Sequence, residues 1–236
     1  MSEFNPQSAL IVGAGTGLSA SIARLLSSEG MKVSLAARDT SKLAGLCSEI
    51  GAEAYRCDAS DPQQVAVLFS NIDKAAGSPD VVIYNPSARE RGPIADLDPE
   101  NVKQALLVTG YGGFLVGQQA ARRMASKGAG VILFTGASAS IKGYAQSASF
   151  AMGKFALRGL AQSMARELQP KGVHVAHINI DGGIRNPERR ERMPPADRPD
   201  SMLDPDEIAK TYLHLIRQHR SAWTMELEVR PWLENF

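Results

Sequence analysis

Ala9-Leu10-Ile11-Val12-Gly13-Ala14-Gly15-Thr16-Gly17-Leu18-Ser19-Ala20-Ser21-Ile22-Ala23-Arg24-Leu25-Leu26 is a short apolar run, a turn rich in glycine, and a segment whose apolar side chains recur three and four apart. The first part reads as a buried strand and the last as an amphipathic helix. A strand that passes through a glycine turn directly into a helix opens a βαβ unit. Working outward, the alternation repeats. Strands are predicted at 9–12, 32–36, 54–57, 81–84, 131–135 and 173–180, and helices at 18–30, 41–50, 62–76, 99–127 and 150–169. Asp204-Pro205-Asp206-Glu207 starts a final helix to about His219, and Met225 to Val229 alternates as a last strand does. Strands that are apolar at nearly every position need cover on both faces. The pattern therefore predicts an α/β chain, a doubly wound parallel sheet of about seven strands in a single domain over 1–236.

Boundary signals support this division. Asp39 or Ser41 caps the second helix, Asp61-Pro62 opens the third, and Gly128 and Gly130 end the fourth. One stretch breaks the rhythm: from Arg185 to Pro205 five prolines exclude continuous helix, leaving either a solvated excursion or a lid over a ligand site. With 26 basic against 25 acidic side chains the net charge is +1, which gives no field for a nucleic acid or another polyion. Cys47 and Cys57 lack metal-site spacing, so neither a disulfide framework nor a metal site is expected. The beginning Met-Ser-Glu-Phe-Asn-Pro lacks a leader pattern, and no apolar run nears the ~20 residues of a membrane span, so a soluble, cytoplasmic protein without membrane contact is expected.

The N–H groups of a glycine turn at a helix start, at the positive end of the helix dipole, suit a pyrophosphate. Because position 18 is Leu, the spacing GxGxxG is not met, and the turn also reads as a tight connection alone.

In motif order the chain resembles the short-chain dehydrogenases/reductases. Their TGxxxGxG is matched at Gly13 and Gly17, with Val12 for the Thr and Ser19 for the last Gly. Their adenine-side acid falls on Asp58, and their NNAG segment on Tyr84-Asn85-Pro86-Ser87. Ala165 to Val175 resembles their helix and sixth strand, and Asp181-Gly182 stands where Pro-Gly is usual. The resemblance implies a Rossmann-like fold. It also implies a nicotinamide dinucleotide held by Gly13, Gly15, Thr16, Gly17, Leu18, Asp58, Asn85, Lys154 and Ile184. A homodimer or homotetramer is implied as well, through helices 99–127 and 150–169, where Ala120, Ala121, Gly153, Ala156, Gly159 and Ala161 allow close approach. The nucleotide follows from charge. The second strand ends Ala36-Ala37-Arg38, and Arg38 carries a guanidinium fork suited to a 2′-phosphate, which favours NADP over NAD. The alternative makes Asp39 a helix cap and Arg38 an ordinary surface charge.

The family reduces carbonyls with Asn, Ser, Tyr and Lys. Here YxxxK reads Phe150-Ala151-Met152-Gly153-Lys154, the Ser position falls on Ala137 and the Asn position on Thr109. A phenyl ring donates no proton, so another group must do so if turnover persists. Tyr144, Ser138, a water or Asp181 are the candidates, and with Lys154 the first two form the expected catalytic set. Tyr144 also reads as a half-buried loop residue and Ser138 as a turn residue. His174 and His177 fall on opposite faces of a strand and form no metal pair, and Trp223 and Trp232 read as packing or subunit contacts. The expected function is an NADP-binding oxidoreductase with an atypical site and a small carbonyl or alcohol substrate. The alternatives are a non-catalytic NADP-binding sensor or assembly partner and, behind it, an isomerase or lyase that uses the nucleotide only structurally.

Overall fold

Strands buried on both faces pair side by side in parallel, and the computed structural model, which describes residues 4–233, shows that arrangement. Strands β1 (Ser8–Val12), β2 (Lys32–Ala37), β3 (Glu53–Arg56), β4 (Val81–Tyr84), β5 (Gly130–Thr135), β6 (Val173–Ile180) and β7 (Glu226–Val229) form one sheet in the order β3-β2-β1-β4-β5-β6-β7, parallel throughout. Every residue of β4, β5 and β6 is buried, as the continuous apolar runs require. Helices α1 (Leu18–Ser28), α2 (Ala44–Ile50) and α7 (Pro205–Ile216) cover one face, packing Ile22, Leu26, Tyr212 and Ile216 on the sheet. On the other face lie α3 (Pro62–Ala76), α4 (Pro99–Leu106), α5 (Gly112–Lys127) and α6 (Ala148–Leu168), with Phe69, Val116 and Leu157 in the second core.

Strand order reverses between β1 and β4, and such a switch point opens a crevice at the carboxyl ends of the strands. Asp-Pro pairs set three helix starts. Asp61 accepts from the N–H of Gln63 at 2.8 Å, Asp98 from that of Glu100 at 2.9 Å and Asp204 from that of Asp206 at 2.9 Å.

Three expectations are corrected. The helix predicted over 99–127 is interrupted by a π-helical turn, Leu107–Tyr111, whose Val108 carbonyl accepts a hydrogen bond from the buried Tyr84 hydroxyl. Gly128 does end α5 in the left-handed region, but Gly130 belongs to β5. Asp39 accepts from the N–H of Ser41 ahead of a 3-10 turn, Ser41–Leu43, that precedes α2, so it shapes the approach to that helix without capping it.

Gly13, at the end of β1, has φ +80°, and a Cβ there would lie 2.6 Å from the ring and backbone N of Pro86. A left-handed side chain costs roughly 1–2 kcal/mol and overpacking roughly 1–3. Gly13→Ala is therefore expected to destabilise the fold by about 2–5 kcal/mol, a loss of several degrees in Tm. An unchanged thermal midpoint would contradict the close approach of Pro86.

Candidate active site

The carboxyl ends of β1, β4, β5 and β6 open into a cleft of about 1220 Å³, larger than the ~300–1,000 Å³ of ordinary small-ligand pockets. Its walls contain Gly13, Gly15, Thr16, Gly17, Leu18, Arg38, Asp58, Asn85, Ser138, Tyr144, Lys154 and Ile184, so the residues singled out from sequence are brought to one place. The segment after β6 borders the same space. Ile184 pairs with Leu203 in a short parallel bridge, and Asn186, itself buried, comes within 3.5 Å of where a Gly17 Cβ would stand.

The floor is the glycine turn. The N–H groups of Gly13 and Ala14 both donate to the Ala36 carbonyl, at 2.9 and 3.0 Å, which bends the chain sharply off β1. No side chain caps α1 at Gly17, and a Cβ on Gly15 would meet nothing within 4 Å. An uncapped helix start beneath open space accommodates a phosphate group. Asn85 braces the turn from β4, donating Nδ2 to Ser19 Oγ at 2.9 Å and to the Gly13 carbonyl at 3.4 Å. Asp58 accepts from the N–H and hydroxyl of Ser60 at 2.9 and 2.6 Å. At the β2 end Asp39 is engaged locally, by the Ser41 hydroxyl at 2.6 Å and by Lys42 at 3.5 Å, and Ser41 holds its carboxyl below the usual range. Arg38 is exposed there and forms no ion pair among the described residues. Size, uncapped helix and free guanidinium together fit a nicotinamide dinucleotide.

The other end holds the chemistry-bearing residues. Lys154 is 2% exposed and donates Nζ to the Thr135 carbonyl at 2.7 Å. Burial, to which the Arg89 charge adds, pulls its ammonium from 10.5 down to about 7. Phe150, one helical turn earlier, has its ring centroid 5.8 Å from Lys154 Nζ and 3.9 Å from the Arg89 guanidinium carbon. Ala137 and Ser138 line the cleft beside them. Thr109 does not. It is fully buried in the π-helical turn, where its hydroxyl accepts from the N–H of Ala88 at 3.0 Å, so it ties down a loop. Tyr144 is exposed on the cleft wall with Lys142 Nζ 5.6 Å above its ring. Asp181, considered from sequence as a proton donor, is ion-paired to Arg230 at 3.1 Å and is thereby removed from that role.

Sequence reasoning did not single out several charged and polar wall residues. Arg89, Arg91 and Arg192 border the cleft, and so does Gln146, which sits at φ 59° in the left-handed region. The density of arginine just after Asn85 and within 185–205 was the available signal. His174 and His177 are both buried in β6. His174 bonds the Thr224 carbonyl through Nε2 at 2.8 Å and stacks on Trp223 with centroids 5.0 Å apart, while burial pulls the His177 imidazole down to about 4. Among the described residues no cluster suits a metal ion, and no helix is long and apolar enough to cross a membrane.

Burying Lys154 has a stability consequence. Below about pH 7 both folded and unfolded chains carry its proton, and the fold bears the full cost of an interior ammonium. Between about 7 and 10.5 the folded chain gives up the proton first, so stability rises with pH across that window. Lys154→Met is expected to raise Tm at pH 6 and to lose that advantage towards pH 10. A Tm gap independent of pH would contradict the burial of the ammonium.

Residues 7–192 match the family described as short chain dehydrogenase. An uncharacterised oxidoreductase of Staphylococcus aureus strain N315 is 27% identical over 237 residues, covering 98% of this chain and 100% of the relative. The 3-oxoacyl-(acyl-carrier-protein) reductase MabA of Mycobacterium avium is 29% identical over 181 residues, covering 77% and 68%. Among solved structures, a short-chain dehydrogenase from Rhodopseudomonas palustris superposes with TM-score 0.81 at 34% identity, covering 97% of this chain and 100% of that one. A metagenomic short-chain oxidoreductase in complex with NADP gives TM-score 0.84 at 28% identity, covering 97% and 98%. With the family match over residues 7–192 and solved short-chain dehydrogenases superposing over nearly the whole chain, the chain belongs to the short-chain dehydrogenase family.

Proposed function

We propose that the protein is an NADP(H)-dependent oxidoreductase acting on a small carbonyl or alcohol substrate, with an atypical site in which Phe150 stands where the family's phenol is expected. The observation that carries this reading is the presence, in one cleft, of an uncapped glycine turn, an unpaired Arg38 and a buried Lys154. The NADP complex of a relative 28% identical supports the choice of nucleotide. Arg38 would hold the 2′-phosphate, the α1 start the pyrophosphate, and Lys154 the nicotinamide-side ribose hydroxyls. A bound dihydronicotinamide supplies a hydride. The chain itself must orient the substrate and provide a proton. Ser138, which lines the cleft, would bond a carbonyl oxygen, and Tyr144, a phenol on the cleft wall, would give the proton. The absence of a hydroxyl at Phe150 and Ala137, with the Thr109 hydroxyl committed to Ala88, favours slow turnover.

The test is NADPH oxidation across a panel of aldehydes and ketones. Turnover on any of them supports the enzymatic reading, whereas tight NADPH binding with no turnover on the whole panel favours the non-catalytic sensor.

A homo-oligomer is part of the same proposal. Of the small residues named above, Ala120, Gly153 and Ala161 are buried within this chain, so they serve its own packing. Ala156 and Gly159 are exposed on α6, and Tyr111, Phe114, Met152 and Phe155 are exposed apolar groups on the same helical pair. Sedimentation at micromolar concentration is expected to show a dimer or tetramer, and a monomer alone would remove the claim.

A further inference from the structure

Arg89, which lies over the Phe150 ring, borders the cleft together with Arg91 and Arg192, and none of the three forms an ion pair among the described residues. Three carboxylates of the neighbouring segments are beside other groups. Glu90 accepts from Asn101 at 3.4 Å, Glu188 borders a separate pocket with Arg24, and Asp181 is bound to Arg230. Arg89 is fixed by its stacking on the Phe150 ring, 3.9 Å from carbon to centroid, which leaves the guanidinium edge for another partner. Desolvation by the cleft walls, and after it the charges of Arg91 and Arg192, depress its basicity. Gathering cations in a partly dry space without a counter-charge is unfavourable until an anion enters, and a fork of N–H donors selects an oxyanion.

Resting on the reading of this cleft as an oxidoreductase site, we propose that its substrate carries a small oxyanion, a carboxylate or a phosphate, bound by Arg89 with Arg91 and Arg192 beside Phe150. The group differs from the cofactor's own phosphates. Those have the α1 start and Arg38, whereas Arg89 stacks on a residue one helical turn from Lys154. Two of the three arginines lie in separate segments, Arg89 after β4 and Arg192 in the 185–205 stretch, so an anion between them would also draw that stretch onto the cleft.

The test is a calorimetric titration of NADP⁺-saturated protein with malonate, with inorganic phosphate and, as a neutral control, with malonamide. Saturable binding of malonate or phosphate is expected, malonamide binding far more weakly. Malonate against phosphate tells which oxyanion the pocket prefers. Arg89→Gln should weaken the anion by about 10-fold or more and Arg192→Gln measurably, with NADPH affinity unchanged. The proposal is overturned if malonamide binds as well as malonate, if Arg89→Gln leaves the anion affinity intact, or if NADP⁺ abolishes anion binding, which would place the anion in the cofactor's phosphate site. NADP⁺ binding is read separately. If the nucleotide itself does not bind, the function proposed above fails, while Arg89-dependent anion binding to the free protein still upholds the subsite.

Discussion

Phe150→Tyr is expected to raise the rate of NADPH oxidation by a fitting carbonyl compound by about 10²–10⁴-fold, the usual contribution of a positioned general acid. Phe and Tyr differ by one hydroxyl, and the Phe150 ring is nearly buried while facing the cleft, so the variant should fold as the parent does. The new phenol would share a helix face with Lys154, whose Nζ lies 5.8 Å from the ring centroid and in its charged form lowers the cost of phenolate. The Arg89 guanidinium over the ring face works in the same direction. Ala137 still offers no hydroxyl, and the Thr109 hydroxyl remains committed to Ala88, which caps the gain. Stopped-flow measurement on the parent, Phe150→Tyr and Tyr144→Phe separates the donors. If Tyr144 already serves, Tyr144→Phe abolishes the parent activity and Phe150→Tyr adds little. Brisk parent activity that survives Tyr144→Phe and is unchanged by Phe150→Tyr would contradict both assignments.

Arg38→Ala should weaken NADPH by about 1.5–3 kcal/mol, roughly 10- to 150-fold, and leave NADH almost unaffected. The geometry explains the asymmetry. Asp39 has its carboxylate turned to Ser41 and Lys42, while the neighbouring Arg38 is exposed and forms no ion pair among the described residues. Equal losses for both nucleotides would show that Arg38 supports the fold or another part of the cleft.

The sheet was legible because its signal is local. Short apolar runs such as 81–84 and 131–135 read as strands covered on both faces, and Asp61-Pro62 and Asp204-Pro205 carry their caps in the sequence. The break in the helix predicted over 99–127 was not legible. Leu107–Tyr111 holds the weak helix formers Val108, Thr109 and Gly110, which do not distinguish a π turn from an α turn, and its π turn is completed from outside, by the Tyr84 hydroxyl on Val108 and the Ala88 backbone on Thr109. That the glycine turn and Arg38 share one end of the cleft could be read because both follow strand ends at fixed offsets. The other end could not, since Arg89 and Arg192 are far apart in sequence and meet only through the folding of the 185–205 stretch over the cleft. Asp181 shows the same limit from the other side: its ion pair with Arg230 spans the β6–β7 edge, and no local pattern announces it.

The central claim, that this cleft is built for NADP(H), is tested most directly by calorimetric titration of the unmodified protein with NADPH and with NADH under the same conditions. Saturable NADPH binding is expected, one per chain and at least about tenfold tighter than NADH, as a charge-assisted fork on the 2′-phosphate requires. No NADPH binding, or NADH bound as tightly or more so, would contradict it.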